Sequence, residues 1–204
     1  MTNNSDIELV AFDLGNVLCE VDEEPVARHL ASLAGRDWED VLSIIFGKEQ
    51  KLLFESGKIT FAQHARQSID ELGIGMTVDQ LSILYDSVLI PSEEMFPLVS
   101  RIANTHRLAL VSNTSEPHWN SADKFLPFSA HLDPVIVSYE VESMKPESAF
   151  YEALLSQSGV AARNILFVDD LAVNIEAAER AGMVGHQFTS PSNLESTLVK
   201  LGIF

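Results

Sequence analysis

Four short apolar runs along this chain stop abruptly on polar residues. They are Glu8–Phe12, Leu108–Val111, Pro134–Ser138 and Ile165–Val168. Each is too short for a helix and shows little in–out alternation, which is the pattern of a strand buried on both faces. Helical patterns separate them: Glu94–Thr105 before the second run, Glu147–Ser156 before the fourth and Asn174–Ala181 after it. A short strand, Gly185–Phe188, and a closing helix, Asn193–Leu201, complete the chain. Strands alternating with helices predict an α/β fold built on a parallel sheet.

Residues from about 20 to 90 read differently, because only helical periodicity is found there. Val26, Leu30, Leu33 and Ala34 form one stripe, and Val41, Leu42, Ile44 and Ile45 another. Phe61, Ala65, Ile69 and Leu72 repeat at helical spacing, as do Leu81, Leu84, Tyr85 and Val88. Gly35, Gly57, Gly73 and Gly75 punctuate the stretch, and Thr60 is an expected N-cap. The expected organisation is a core made of 1–19 and 91–204, with a small all-helical unit, 20–90, inserted after the first strand.

Ligands of such sheets bind at the carboxyl ends of the strands, so the residues found there carry most of the functional information. The first strand, in "AFDLGNVL", delivers Asp13. The second delivers Ser112-Asn113-Thr114. Beyond the third comes Lys145-Pro146, and the fourth ends on Asp169-Asp170. Taken alone, Asp13 reads as a turn residue, Ser112 as a turn start, Lys145 as a loop cation and Asp169-Asp170 as a helix cap. Taken together they bring three carboxylates, a hydroxyl and an ammonium to one edge. Carboxylates in one cleft repel unless a cation neutralises them, and oxygen ligands without His or Cys favour a hard ion such as Mg²⁺. A carboxylate left facing the substrate can then attack phosphorus. Ser112 and the backbone N–H groups of Leu14 and Gly15 are candidates to hold phosphoryl oxygens, and Lys145 to balance their charge.

Composition narrows the partners. The 30 acids against 13 bases give a net charge of −17, which repels nucleic acid, so no nucleic-acid partner is expected. The same field repels a phosphorylated substrate unless a local cation intervenes. No apolar stretch approaches the roughly 18 residues of a membrane span, and "MTNNSDIELV" lacks the features of a signal peptide. The single cysteine, Cys19, fits a reducing cytoplasm and reads as a small core hydrophobe. A small phosphorylated metabolite is the expected partner, and monomer and homodimer both remain open.

The motifs "FDLGNVL", "VSNT", "MKPE" and "FVDDLAVNIEAA" resemble, in order, the four motifs of the haloacid dehalogenase-like hydrolase superfamily, and the resemblance covers nearly the whole chain. It implies a Rossmann-like parallel sheet flanked by helices, with a helical cap after the first motif. The branch containing bacterial glucose-1-phosphate phosphatases looks closest, since its first motif also runs Asp-x-Gly-Asn-Val. The cap stretch "FESGKIT" is similar to a Glu-x-Gly-x-Ile segment of that branch. The resemblance implies that Asp13 is the nucleophile and a Mg²⁺ ligand, and that Gly15 offers its backbone carbonyl to the metal. It places Ser112 and Asn113 in the phosphate-binding motif and makes Lys145 the charge-balancing lysine. Asp170 becomes the direct metal ligand, with Asp169 acting through water or at its side, and Asn174 faces the same mouth. The implied activity is a Mg²⁺-dependent phosphatase working through phospho-Asp13, with a sugar phosphate as one substrate class. Two other functions stay open: a 2-haloacid dehalogenase, which the paired Asp169-Asp170 argues against, and a catalytically weak binding or regulatory protein.

Gly15 keeps that last alternative alive. The superfamily more often carries a second Asp at this position, which protonates the leaving group and then activates water. Such help is worth roughly 10²–10⁴-fold. Its absence predicts slower turnover, a leaving group that needs less protonation, a substitute from the cap, or a poor enzyme. Glu55 and Lys58 are the cap residues considered for that substitution, against the plainer reading of a helix-ending ion pair. Lys51, Arg28 and Arg66 are further cap anchors that nothing in the sequence ranks. His118 beside Trp119 reads as a surface histidine next to a packed indole, and His29 and His64 as solvated or capping residues.

Overall fold

The computed structural model describes residues 6–204, apart from the side chains of residues 48 and 50. The stretch considered for a leader therefore lies partly outside the described residues. Among these, no helix is long and apolar enough to cross a membrane.

The first strand, β1 (Leu9–Phe12), is buried throughout. The chain then forms a short strand β2 (Cys19–Val21), five helices, and a short strand β3 (Leu89–Pro91). The helices are α1 (Glu24–Ala34), α2 (Trp38–Phe46), α3 (Lys48–Glu55), α4 (Phe61–Leu72) and α5 (Val78–Asp86). The remaining elements are α6 (Phe96–Ala103), β4 (Arg107–Ser112), α7 (Glu116–Phe125), β5 (Leu132–Val137), α8 (Ser138–Val141), α9 (Ser148–Ser158), β6 (Ile165–Asp169), α10 (Ala172–Arg180), β7 (Val184–Gln187) and α11 (Pro191–Lys200). Five strands make one parallel sheet in the order β5-β4-β1-β6-β7. The α/β fold and its parallel sheet are as the sequence predicts.

Side chains that alternate across a strand explain the continuous apolar runs. Val10 and Phe12 join Leu108, Leu110, Leu166 and Val168 in a cluster with Met95, Val99, Leu194 and Leu198. Leu9 and Ala11 point the other way, into a cluster with Val111, Phe167, Phe150, Leu154 and Ala178. Both faces of β1 are thus covered by helices, and none of its four residues has measurable exposure. Truncating such a side chain, as in Phe12→Ala, costs about 3–5 kcal/mol through lost burial and the cavity left behind.

The inserted helices carry their own apolar cluster, which includes Leu30, Val41, Ile45, Phe54, Ala65, Leu81 and Tyr85. Thr60 caps α4 and Thr77 caps α5, each in a reciprocal capping box with a glutamine. The expectation of purely helical structure over 20–90 needs one correction. Strands β2 and β3 pair antiparallel, Cys19 opposite Pro91 and Val21 opposite Leu89, and this ribbon straddles both expected boundaries. His64 is a second correction, since it is buried and its Nε2 lies 3.0 Å from the Ile45 carbonyl oxygen. Packing of α4 on α2 encloses it. Helix α7, the short α8 and α3 are elements that the periodicity does not reveal.

Candidate active site

Strand β1 sits between β4 and β6, where the strand order reverses, so its carboxyl end opens into the crevice expected of a parallel sheet. The Asp13 N–H continues the ladder by donating to the Val168 carbonyl at 2.9 Å. The chain then turns sharply. The N–H groups of Leu18 and Cys19 both reach the Leu14 carbonyl, at 2.9 and 3.0 Å. Asn16 takes the left-handed conformation at φ 56°, which asparagine tolerates better than most residues. Gly15 lies outside that region, and a Cβ added there would meet only the Val21 Cγ2 methyl at 3.6 Å. The glycine is therefore not required by the backbone.

The turn decides how Asp13 is presented. Its Oδ1 accepts from the Leu14 N–H at 2.7 Å and lies 2.9 Å from Lys145 Nζ. No such contact engages Oδ2 among the described residues. This corrects one expectation, because the Leu14 N–H is turned back onto the strand-ending carboxylate rather than left free for a phosphoryl oxygen. Ser112 is buried, and its hydroxyl makes no hydrogen bond within the described residues, so it remains available at the cavity wall.

Lys145 is buried with all three of its donors engaged. Nζ donates to the Val111 carbonyl at 2.9 Å and to Asp169 Oδ2 at 2.6 Å, and bonds Asp13 as above. The Asn113 side chain brackets the lysine's own backbone: Nδ2 donates to the Lys145 carbonyl at 2.9 Å, and the Lys145 N–H donates to Oδ1 at 2.8 Å. The Asn113 amide thus fixes the lysine loop rather than presenting an open anion donor. Burial alone pushes the Lys145 ammonium down, but the two carboxylates more than offset it, and its pKa is raised.

Asp169 has no exposure, and both of its oxygens are bonded. Oδ1 accepts from the Leu171 N–H at 2.9 Å, and Asn174 Nδ2 lies 3.0 and 3.1 Å from the two oxygens. Asp170 is only half-buried, with Oδ2 accepting from Asn16 Nδ2 at 3.1 Å. Asp13, Asp169 and Asp170 each offer a carboxylate oxygen within 4.8 Å of the others. Burial, reinforced by the Asp169 charge, raises the Asp13 carboxyl to about 6 in spite of Lys145. One buried lysine is too little positive charge for three carboxylates.

Comparison with known proteins places this arrangement. The family model described as haloacid dehalogenase-like hydrolase matches residues 7–182. The chain belongs to the haloacid dehalogenase-like hydrolase family. It is 22% identical over 187 residues to a D-ribitol-5-phosphate phosphatase of Bacteroides thetaiotaomicron, covering 86% of this chain and 89% of that one. It is 27% identical over 181 residues to a sesquiterpene phosphatase of Aspergillus oryzae, covering 87% and 88%. Among solved structures, it matches a haloacid dehalogenase family enzyme from B. thetaiotaomicron in complex with magnesium and inorganic phosphate, with a TM-score of 0.76 and 23% identity over 92% of this chain and 98% of that one.

In this member of the family the inserted helices complete the crevice. A cavity of about 420 Å³ joins Asp13, Gly15, Ser112, Asn113, Lys145, Asp170 and Asn174 to Glu23, Lys51 and Glu55 of the insertion. Glu23 and Lys51 form an ion pair at its wall. The walls carry the carboxyls of Asp13, Glu23, Glu55 and Asp170 against the two ammonium groups of Lys51 and Lys145. Lys58 is absent from the lining. Arg28 pairs with Glu24 over the Trp38 ring, and Arg66 and His29 are exposed. His118 corrects the surface reading: it is buried, stacked on Tyr85 with ring centroids 4.2 Å apart, and its Nε2 lies 3.0 Å from the Tyr85 carbonyl oxygen. Burial lowers its pKa to about 4, so the ring is neutral and donates from Nε2. Asn16 and Glu23 are site residues that the sequence reading passed over. Asn16 stands in plain view inside the first motif, whereas nothing local marks Glu23.

Proposed function

We propose that this hydrolase is a Mg²⁺-dependent phosphatase acting on a small phosphorylated metabolite, with sugar and sugar-alcohol phosphates as the favoured class, through a phospho-Asp13 intermediate. The observation that carries this reading is the cluster of Asp13, Asp169 and Asp170 around Lys145, of which Asp13, Asp170 and Lys145 line the cavity. The phosphatase names of the two relatives support it.

The donor set fits a hard divalent cation, being all oxygen, clustered and short of positive charge. Asp13, Asp170 and the Gly15 carbonyl would hold it, with Asp169 at its side. Bound there, Mg²⁺ supplies the charge neutralisation that lets an anionic phosphoryl group approach a carboxylate. Every other part of the reaction falls to the protein. Asp13 Oδ2, the uncommitted oxygen, attacks phosphorus while Lys145 and Leu14 hold Oδ1 and fix the carboxylate plane. The Ser112 hydroxyl and the Gly15 N–H receive phosphoryl oxygens. Water then attacks the phospho-aspartate, phosphate departs, and the Asp13 carboxylate is restored. The cavity volume suits a small metabolite. A dehalogenase, whose substrate carries no phosphoryl group, leaves the carboxylate cluster without a purpose.

Release of inorganic phosphate from p-nitrophenyl phosphate and a panel of sugar and polyol phosphates, with Mg²⁺ and with chelator, tests the proposal. Metal-dependent turnover that vanishes in Asp13→Asn is expected. Turnover that persists in that variant would rule out the covalent route.

A further inference from the structure

Resting on the phosphatase reading above, we propose that Glu55 protonates the leaving group and then takes the proton of the hydrolytic water, the pair of tasks for which Gly15 has no side chain.

The cavity leaves few other choices. On its floor, Asp13 is the attacking group and is tied to Lys145, and Asp170 belongs to the carboxylate cluster. Asp169 is fully bonded and does not reach the cavity wall. On the cap wall, Glu23 is paired with Lys51, and the His118 Nε2–H is committed to the Tyr85 carbonyl. Glu55 is the lining carboxyl that forms neither a hydrogen bond nor an ion pair within 4 Å among the described residues. Its side chain is half-buried and opens onto the cavity.

The local fold holds Glu55 in place. It ends α3, directly after the buried Phe54, whose ring stacks on His64 at 4.6 Å between centroids. The chain then doubles back, with Gly57 N–H bonding the Phe54 carbonyl at 3.1 Å and Lys58 N–H bonding the Leu53 carbonyl at 2.9 Å. Gly57 has φ 73°, and a Cβ there would lie 2.5 Å from the Tyr139 carbonyl oxygen. Only glycine allows this approach. Tyr139 lies in α8, which follows β5 at the same carboxyl edge of the sheet as Asp13. The segment that presents Glu55 is therefore pressed against the core, and Glu55 lines the same cavity as the nucleophile, within reach of its charge. In-line displacement puts the departing oxygen on the side away from the nucleophile. Burial, together with the Glu23 and Asp13 charges and against the pull of Lys51, raises the Glu55 carboxyl to about 7. A group of that acidity both gives and takes a proton near neutrality.

The chemistry balances. In the first step the Asp13 Oδ2–P bond forms, the bond from phosphorus to the leaving oxygen breaks, and the Glu55 proton moves to that oxygen, releasing a neutral alcohol. In the second, water oxygen bonds phosphorus and gives its proton to Glu55. The bond from phosphorus to Asp13 breaks with its electron pair returning to the carboxylate.

Glu55→Gln preserves size and removes the proton. The test is kcat/KM for a series running from p-nitrophenyl phosphate to β-glycerophosphate, in both proteins. The wild type is expected to depend weakly on leaving-group acidity. In Glu55→Gln, kcat/KM for the alkyl ester is expected to fall by about 10²–10⁴-fold and for the nitrophenyl ester by about tenfold or less. For that ester kcat falls further, because dephosphorylation has lost its base, and a burst of nitrophenol equal to the enzyme concentration appears. A uniform loss across the series, or no loss, overturns the assignment. Should the variant fail to fold, the wild-type series decides: steep dependence, with the alkyl ester inert, overturns it. Absence of any metal-dependent phosphate release from the wild type defeats the phosphatase reading itself. Wild-type turnover that is lost in Asp13→Asn, combined with a uniform Glu55→Gln series, rejects Glu55 alone.

Discussion

Lys145 Nζ stands 2.9 Å from Asp13 Oδ1, and both side chains are almost wholly shielded from water. The same ammonium lies 2.6 Å from Asp169. One cation therefore orders the end of β1 and the end of β6 at once, and the carboxylate it leaves half-free is the one that begins β1's exit from the sheet.

Removing that ammonium leaves two buried carboxylates facing each other. Lys145→Met is expected to abolish turnover and to lower unfolding stability by about 3–5 kcal/mol, the usual cost of breaking a buried pair by one partner. Urea unfolding monitored by circular dichroism measures it. A loss below about 1 kcal/mol, within reach of an exposed ion pair, would show that the lysine is not the strut described.

Asp13→Asn runs the other way. Burial already disfavours the Asp13 charge, raising its pKa to about 6, so the neutral amide is expected to leave the thermal midpoint unchanged or higher while activity drops to background. Differential scanning fluorimetry beside the phosphate assay gives both numbers from one preparation.

Asp170→Ala is expected to weaken Mg²⁺ binding and activity together, with partial rescue at high Mg²⁺. Asp170 is the half-buried member of the cluster; its carboxylate accepts from Asn16 Nδ2 and its backbone carbonyl from Gln187 Nε2. Calorimetric titration decides the matter; unchanged affinity would remove Asp170 from the ligand set.

The metal-free protein has a predictable stability profile. Burial raises Asp13 and Asp86 to about 6 and Glu55 to about 7. A carboxyl whose folded pKa is raised stabilises the fold fully below its ordinary value and loses that contribution as pH rises through the folded one. His118, lowered to about 4 by burial, contributes above its ordinary value and loses that as pH falls through 4. With chelator present, the three carboxyls therefore pull the thermal midpoint down as pH rises from about 4 to 7, while His118 and the likewise lowered His64, His106 and His186 pull it up. Glu55→Gln removes one downward share, so its midpoint is expected to gain on the wild type from about pH 5 to 8; a difference that shrinks over that range would contradict the sign.

Gly15→Asp is expected to fold, since the position lies outside the left-handed region and has only the Val21 methyl nearby. In the Glu55→Gln background it is expected to restore part of the lost alkyl-ester turnover. A folded double variant with no recovery would show that a carboxyl at position 15 does not reach the leaving oxygen.

The core was legible because its physics is local. Strands buried on both faces leave uninterrupted runs such as Leu9–Phe12 and Ile165–Asp169, and the polar residue that ends each run marks the ligand edge. Strands β2 and β3 left no such trace, since three residues with mixed exposure have neither run nor period. His118 was misread because its burial depends on Tyr85, a distant residue that stacks on it. Glu23, which precedes α1, and Lys51, within α3, meet only once the helices of the insertion are assembled. The committed donors of Leu14 and Asn113 are likewise matters of turn geometry, which residue type alone does not specify.

The β2–β3 ribbon has an evolutionary corollary. The chain departs from the sheet and comes back to it through two strands paired side by side, Val21 opposite Leu89, about 4.8 Å apart as neighbouring strands are. Seen from the sheet, everything from residue 22 to 88 is a closed excursion on a narrow stem. Its helices can be lengthened, shortened or exchanged without shifting the register of β1 against β4 and β6. New substrate preferences can then be explored on the stem while the carboxylates beneath it stay where they are.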